Sequence, residues 1–390
     1  MIRVAFILRA PEIGGTERQL VELVRGLDPE RFRITVIPFY PKGALRGELE
    51  AIPGVTVQDL GKTSRWDVVS FLTRMRRAVR AARADVVYGC LGVANEAALL
   101  VGRLEHARVI WRLGAAYMDL SMYDWTARPL FALGKHLSRF PDRIVINSHA
   151  GMEYHRRRGY NISRMQVIPN GFDTDRFTRR HEAGAAVRRE LGIDADEVVV
   201  GMAARLDPIK NHPLFVDAAA RVAQQHPRVR FVCVGGGPRE LRDKLEAAAR
   251  ERGLGDRLLW TGSRTDMAAM YSAFDVHCLC SYGEGLPNAV GESMACEVPN
   301  VVTDVGDAAH LIGDTGQAVP SDDREALARA IEAAILAPAD ERRARGARAR
   351  QRIVSEYRTS LLASRTGDLM TELTRGNHRG HPAGEERPTT

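Results

Sequence analysis

Glu284 and Glu292 stand on either side of Gly285-Leu286-Pro287-Asn288, in a segment that runs Ser281-Tyr282-Gly283-Glu284-Gly285-Leu286-Pro287-Asn288-Ala289-Val290-Gly291. The apolar run 275–280 ahead of it reads as a buried strand, and Ala289, Val290, Met294 and Ala295 behind it fall on one face of a helix. Pro287 and Asn288 sit where that helix starts. A strand that ends in a glycine-containing loop at a helix amino terminus is an anion site, because unpaired N–H groups and the positive end of the helix dipole point the same way. Carboxylates repel phosphate, so the two glutamates are expected to face a neutral part of the ligand. Sugar hydroxyls donate hydrogen bonds to carboxylates and suit that position. The segment reads as a nucleotide-sugar pocket.

A second group carries the opposite charge. Arg205 and Lys210 lie on one loop between a strand at 198–203 and a helix at 213–226. A guanidinium fork and an ammonium point charge together suit a diphosphate, and they would stabilise it as a leaving group. Near the amino terminus, Gly14-Gly15 lies on a strand-to-helix turn, where backbone can approach a ligand closely. Asp173-Thr174-Asp175 has the look of a metal ligand pair but follows the turn Asn170-Gly171-Phe172-Asp173, with no third oxygen ligand nearby, so no metal is expected. Cys90, Cys233, Cys278, Cys280 and Cys296 all sit in apolar contexts and read as buried thiols.

These groups are spread over alternating strands and helices. Strands are expected at 1–8, 32–39, 55–60, 85–90, 109–113, 144–147 and 166–169, then at 198–203, 230–234, 258–261, 275–280 and 301–303. Helices are expected at 18–27, 66–84, 95–104 and 148–158, and at 213–226, 239–252, 342–357 and 361–373. A further helix through Leu336 is expected to be capped by Asp322, with Glu325 completing a capping box. The alternation specifies an α/β protein of two parallel, doubly wound domains. A chain of 390 residues suits two such cores. Gly14-Gly15, Arg205 with Lys210, Gly235 to Gly237 and Glu284 to Glu292 all fall after strands, the usual ligand-binding edge of such sheets. The expected division is 1–172 and 173–357, with a last helix near 358–374 packing back on the first domain and a disordered tail at 375–390.

Charge is unevenly placed. The net charge is +7, with 26 basic and 18 acidic residues in 1–175 against 30 and 31 in the remainder. The 66–84 helix sets Arg74, Arg76, Arg77, Arg80 and Arg83 against an apolar face, which suits an anionic membrane surface. No nucleic-acid module motif is present, and no nucleic-acid partner is expected. The absence of a long apolar run and of a signal-peptide pattern points to a cytoplasmic protein, peripheral at the inner face of the membrane.

Taken together, Gly14-Gly15-Thr16-Glu17-Arg18, Pro169-Asn170-Gly171-Phe172-Asp173, Arg205 with Lys210, and Glu284 with seven residues before Glu292 resemble the family-4 retaining glycosyltransferases of the GT-B fold. The similarity covers roughly residues 1–360. It implies two Rossmann-like domains facing across a cleft that holds a nucleotide sugar, with no metal and no cofactor beyond the donor substrate. It implies Arg205 and Lys210 on the diphosphate, Glu284 at the donor sugar and Glu292 on the ribose, with Gly14-Gly15 near the phosphates. Gly285, Leu286, Pro287, Asn288 and Arg264 complete the expected donor contacts. The base is expected to be read by backbone at 262–266, and the Glu-Gly-Leu-Pro-Asn form resembles users of UDP-sugars. The family's mechanism is same-face substitution, in which the leaving phosphate helps deprotonate the acceptor hydroxyl. Many members carry a His after a strand of the first domain, near the transferring sugar. The corresponding stretch here is Trp111-Arg112-Leu113-Gly114, so Arg112, Tyr117 and Asp119 are the candidates to face the sugar or the acceptor. The resulting expectation is transfer to a glycan or lipid-linked acceptor in cell-surface polysaccharide or glycolipid synthesis. The alternatives are a sugar-nucleotide epimerase, a phosphorylase, and a non-catalytic nucleotide-sugar-binding regulator.

Overall fold

The computed structural model describes residues 1–12, 14–62, 67–114 and 127–375. Two parallel sheets account for the strands. The first contains β1 (Ile2–Leu8), β2 (Phe32–Pro38), β3 (Val55–Val57), β4 (Val86–Cys90), β5 (Arg108–Leu113), β6 (Arg143–Ile146) and β7 (Met165–Val167), in the order β3-β2-β1-β4-β5-β6-β7. The second contains β8 (Val198–Ala203), β9 (Val229–Val234), β10 (Leu258–Gly262), β11 (Val276–Leu279), β12 (Asn300–Thr303) and β13 (Gln317–Val319), in the order β10-β9-β8-β11-β12-β13. The order reverses between β1 and β4 and between β8 and β11. At such points the flanking connections leave on opposite faces and open a crevice at the strands' carboxyl ends.

The strands form where the sequence is continuously apolar, because both faces of each sheet are covered by helices. Phe6, Tyr88, Val36, Ile110 and Val145 bury one face of the first sheet beneath the helices Gly15–Gly26 and Thr359–Arg375; Ala5, Ile7 and Val87 bury the other beneath Val69–Ala81 and Val93–Leu104. In the second sheet Val200, Phe231 and Cys233 pack against the helices His212–Gln225 and Arg324–Leu336, while Val199, Val232 and Leu279 face Asn288–Ala295 and Ala339–Glu356. All five cysteines are buried and unpaired, as their apolar contexts imply.

The last helix returns to the first sheet: Leu362, Ala363, Leu369 and Met370 enter the core beneath it. The chain crosses between the halves twice, at 168–172 and at 357–359. The crossings are tied by a parallel bridge, with Phe172 N donating to Tyr357 O (2.8 Å) and Thr359 N donating to Phe172 O (3.0 Å).

Several local expectations are corrected. The cap of the Arg324–Leu336 helix is Asp323, whose carboxylate accepts the N–H of Ala326 at 2.8 Å. Asp322 instead adopts a left-handed conformation (φ 65°) and accepts from Tyr282 Oη, and Glu325 pairs with Arg221 instead of closing a capping box. The basic helix runs Val69–Ala81, shorter than 66–84, and Trp66 lies outside the described residues. Its charge is partly neutralised, because Arg74 pairs with Asp67 while Arg76 and Arg80 pair with Glu105. The Asp173 carboxylate caps a turn by accepting the N–H groups of Asp175 and Arg176 (3.1 and 2.9 Å). The helices Ala127–Leu137 and His181–Glu190 and the strand β13 were not foreseen. Residues 376–390, where a disordered tail is expected, lie outside the described residues.

Candidate active site in the cleft

The loop after β8 is a double cap. Asp207 accepts the N–H of Ile209 (3.1 Å) and so starts a 3-10 turn, Pro208–Lys210, with proline at its first position. Asn211, left-handed at φ 52°, ends that turn and caps His212–Gln225 by accepting from Leu214 N. This rigid corner aims Lys210 across the crevice toward β11. Its Nζ donates to Glu284 Oε1 at 2.6 Å, and Ser281 Oγ donates to the same oxygen at 2.6 Å. The pair is well shielded, with side chains only 21% and 11% exposed. Arg205 is different: its side chain is 70% exposed and, among the described residues, holds only Asp207, at 3.4 Å. One cation is therefore fixed and the other is free to swing onto a ligand.

A cavity of about 270 Å3 opens at this point. The second half contributes Arg205, Lys210 and the run Glu284–Ala289, and the first half contributes Gly15, Thr16, Arg112, Gly114, Asn147 and Asn170. The halves approach closely at Gly285. A Cβ there would lie 2.6 Å from Gly114 O and 2.9 Å from Asn147 Oδ1, so only glycine allows this approach. Leu286 is buried, and its carbonyl accepts from Asn170 Nδ2 at 3.3 Å. Pro287 precedes the helix Asn288–Ala295 in an extended conformation, matching its expected place at the helix start.

Asn288 does more than line the cavity. Its Nδ2 donates to Gly15 O (3.2 Å), and its Oδ1 accepts from Asn170 Nδ2 (2.8 Å) and Gln19 Nε2 (3.3 Å). The amide expected to contact the donor thus ties the two halves together. Asn170 in turn accepts from Arg112 Nη2 at 2.9 Å. Arg112 is only 3% exposed at the end of β5 and has no carboxylate partner among the described residues, so it puts an uncompensated positive charge at the cavity floor. Tyr117 and Asp119 lie outside the described residues.

The other expected residues divide. Glu292 is partly buried behind the cavity, accepting from Tyr271 Oη at 3.0 Å, and burial raises its carboxyl to about 7. Gly14 precedes Gly15–Gly26 and does not line the cavity; the Glu17 carboxylate lies where its Cβ would be. Arg264 stands apart from the cavity. Its guanidinium is held by Glu190 (3.0 Å) and Asp266 (2.8 Å) and does not line the cavity. Two acidic neighbours spaced to fit its fork account for that placement. The cavity-lining Thr16 and Asn147, and Gln19 that ties the halves beside them, were missed, since a lone polar residue carries no spacing signal.

Two doubly wound parallel halves with cationic and acidic groups gathered in the cleft between them are the architecture of the GT-B fold. Residues 13–176 match the model of Glycosyltransferase Family 4, and residues 197–336 match that of Glycosyl transferases group 1. The D-inositol 3-phosphate glycosyltransferase of Kribbella flavida is 27% identical over 362 residues, covering 84% of each chain. The putative glycosyltransferase EpsF of Bacillus subtilis is 24% identical over 328 residues, covering 77% of this chain and 79% of its own. Among solved structures, Anabaena Alr3699/HepE in complex with UDP and glucose superposes with a TM-score of 0.83 at 20% identity, covering 95% of this chain and 100% of that one. Sucrose-phosphate synthase from Thermosynechococcus elongatus gives 0.78 at 21% identity, covering 96% and 100%. The chain belongs to the family-4, group 1 glycosyltransferases.

Proposed function

We propose that this glycosyltransferase is retaining and metal-independent, moving a hexosyl group from a UDP-sugar to a hydroxyl of a glycan or lipid-linked acceptor in cell-surface polysaccharide or glycolipid synthesis. The observation that carries this reading is the Lys210–Glu284–Ser281 cluster in the cleft. Lys210 keeps two N–H groups free for the leaving diphosphate, and Arg205 can close on it from the loop. Glu284 is the one acidic residue lining the cavity among the described residues, and its Oε1 is already held by Lys210 and Ser281. A carboxylate tied to a cation is a poor base but a good acceptor for sugar hydroxyls, which leaves the departing phosphate to take the acceptor proton from the same face. The UDP preference is supported by neighbours such as HepE, solved with UDP and with UDP-glucose.

The first half, residues 1–172 with the returning helix, would take the acceptor, and 173–357 the nucleotide sugar. No helix among the described residues is long and apolar enough to cross a membrane. Contact with an anionic bilayer is supported by exposed Val69, Val93, Leu100, Leu104, Leu133 and Phe140, on or next to neighbouring helices of the first half, beside exposed Arg77. Calorimetric titration with UDP and GDP, with and without Mg2+, tests the donor. UDP binding independent of Mg2+ is expected, and binding of neither nucleotide would overturn the assignment. Proton NMR of the product's anomeric configuration tests retention.

A further inference from the structure

The loop after β12 places one carboxylate where the two halves meet. Asp307 is only 6% exposed. Its Oδ2 accepts the N–H of His149 at 2.7 Å and its Oδ1 that of Ala150 at 2.8 Å. Those are the first two residues of the helix His149–Arg157, which belongs to the opposite half. The third N–H of that helix, from Gly151, is taken by Ser148 Oγ within the same half (3.1 Å). Asp307 has no Lys, Arg or His ion-pair partner among the described residues. Its own N–H donates to Gly285 O at 2.8 Å. Its neighbour Gly306, at φ 60°, lies so close to the Glu284 loop that a Cβ would come 2.3 Å from Glu284 O. Asp307 is therefore bonded both to a helix end of the first half and to the loop that carries Glu284.

A buried carboxylate without a cation is costly. Here the offset comes from two charge-assisted hydrogen bonds and the positive end of the helix dipole. All of that compensation lies across the cleft, so it exists only while the halves are closed. A separation of one or two ångströms would break both bonds and return the carboxylate to water.

We propose that Asp307 is a positioning residue for transfer: it fastens the closed cleft through the amino end of the His149–Arg157 helix and thereby sets Glu284 and Lys210 against the first half. It touches no substrate. Donor binding to the second half can occur with the cleft open, whereas chemistry needs it shut. Loss of the fastening should therefore act on kcat more than on nucleotide affinity. The activity arm of the test rests on the transferase reading, and the scattering arm does not.

Three single variants isolate the contact. Asp307→Ala removes the carboxylate. His149→Pro deletes the N–H that meets Oδ2 at a position where proline suits a helix start and its extended predecessor Ser148 is compatible. His149→Ala removes only the ring, which lies 5.9 Å edge-on from His310, and keeps the N–H. Small-angle scattering of the unliganded proteins should give a larger radius of gyration for Asp307→Ala and His149→Pro and an unchanged one for His149→Ala. In Asp307→Ala, kcat should fall about 10-fold, the equivalent of one lost buried hydrogen-bond set, with UDP affinity within about twofold. The double variant Asp307→Ala/His149→Pro should be no worse than Asp307→Ala, because both remove the same contact. Unchanged scattering in Asp307→Ala overturns the proposal, as does a lowered Tm with unchanged kcat well below it. Should Asp307→Ala fail to fold, His149→Pro decides by the same two readouts. If the wild type neither binds UDP nor transfers sugar, the donor reading fails while the scattering comparison still judges the fastening.

Discussion

At the scale of single residues, the proposed mechanism rests on the Lys210–Glu284 pair. In that reading the ammonium neutralises a glutamate that would otherwise repel a diphosphate, and the glutamate holds the ammonium in place. Removing either leaves a poorly hydrated charge without its partner. Lys210→Ala is expected to lower kcat by about 100-fold or more through loss of leaving-group stabilisation, with donor KM less affected. Steady-state kinetics with a UDP-sugar checks this, and full activity would remove Lys210 from the mechanism. Glu292 sets a pH dependence. Burial raises its carboxyl to about 7, so the folded protein holds this proton where the unfolded chain, ordinarily near 4.5, has released it. Stability due to this group is therefore greatest below about 4.5 and falls as pH rises through 7. Ribose hydroxyls donate best to the ionised form. UDP affinity should thus rise between pH 6 and 8, and Glu292→Gln should flatten that rise in calorimetric titrations.

At the scale of elements, the same logic of buried charge applies away from the cleft. Glu96 sits in the first turn of the helix Val93–Leu104, against the helix Ala127–Leu137, where a Cβ at Gly134 would lie 3.0 Å from its Oε1. Its Oε2 has no partner, and burial raises this carboxyl too to about 7. The cost of ionising it grows as pH rises from 4.5 through 7. Glu96→Gln should therefore raise Tm at pH 8, by of order 1 kcal/mol in stability, and do little at pH 5. Equal shifts at both pH values would mean the gain is not electrostatic. The elements also show what the sequence could and could not convey. Long apolar strands such as β1 and β8 were legible because both faces are buried and no competing pattern exists. The helix cap at Asp323 was misplaced by one residue because Asp322 and Asp323 are chemically identical, and only the left-handed turn at Asp322 tells them apart. The Glu284 to Glu292 segment was legible because its chemistry is contiguous. Asp307 was not, since its partners lie 157 and 158 residues away and are backbone N–H groups that any sequence would provide. The pairing of Arg264 with Glu190 was likewise not legible, because the two lie 74 residues apart.

At the scale of the whole molecule, the two halves are joined by crossings that run side by side. The outgoing segment at Phe172 and the returning one at Arg358 form a parallel bridge, and Gln19 anchors the outgoing one by accepting from Gly171 N (2.8 Å) and donating to Gly171 O (2.9 Å). Two crossings at one place tie the halves side by side, a geometry suited to a single hinge. The returning helix Thr359–Arg375 makes that hinge durable because it completes the first half's core: Met370 is fully buried among Leu20, Leu23 and Phe32. Stability of the first half thus depends on residues some 200 positions beyond the end of its sheet. Met370→Ala is expected to destabilise that half by about 2–5 kcal/mol, the usual cost of a cavity of this size. Because the second half has its own sheet and clusters, its unfolding should shift far less. Hydrogen exchange resolved by mass spectrometry distinguishes the outcomes. Faster exchange confined to β1, β2 and the helix Gly15–Gly26 would mean that the returning helix belongs energetically to the first half. Equal acceleration in β8 and β11 would mean that the crossings couple the two cores into one cooperative unit.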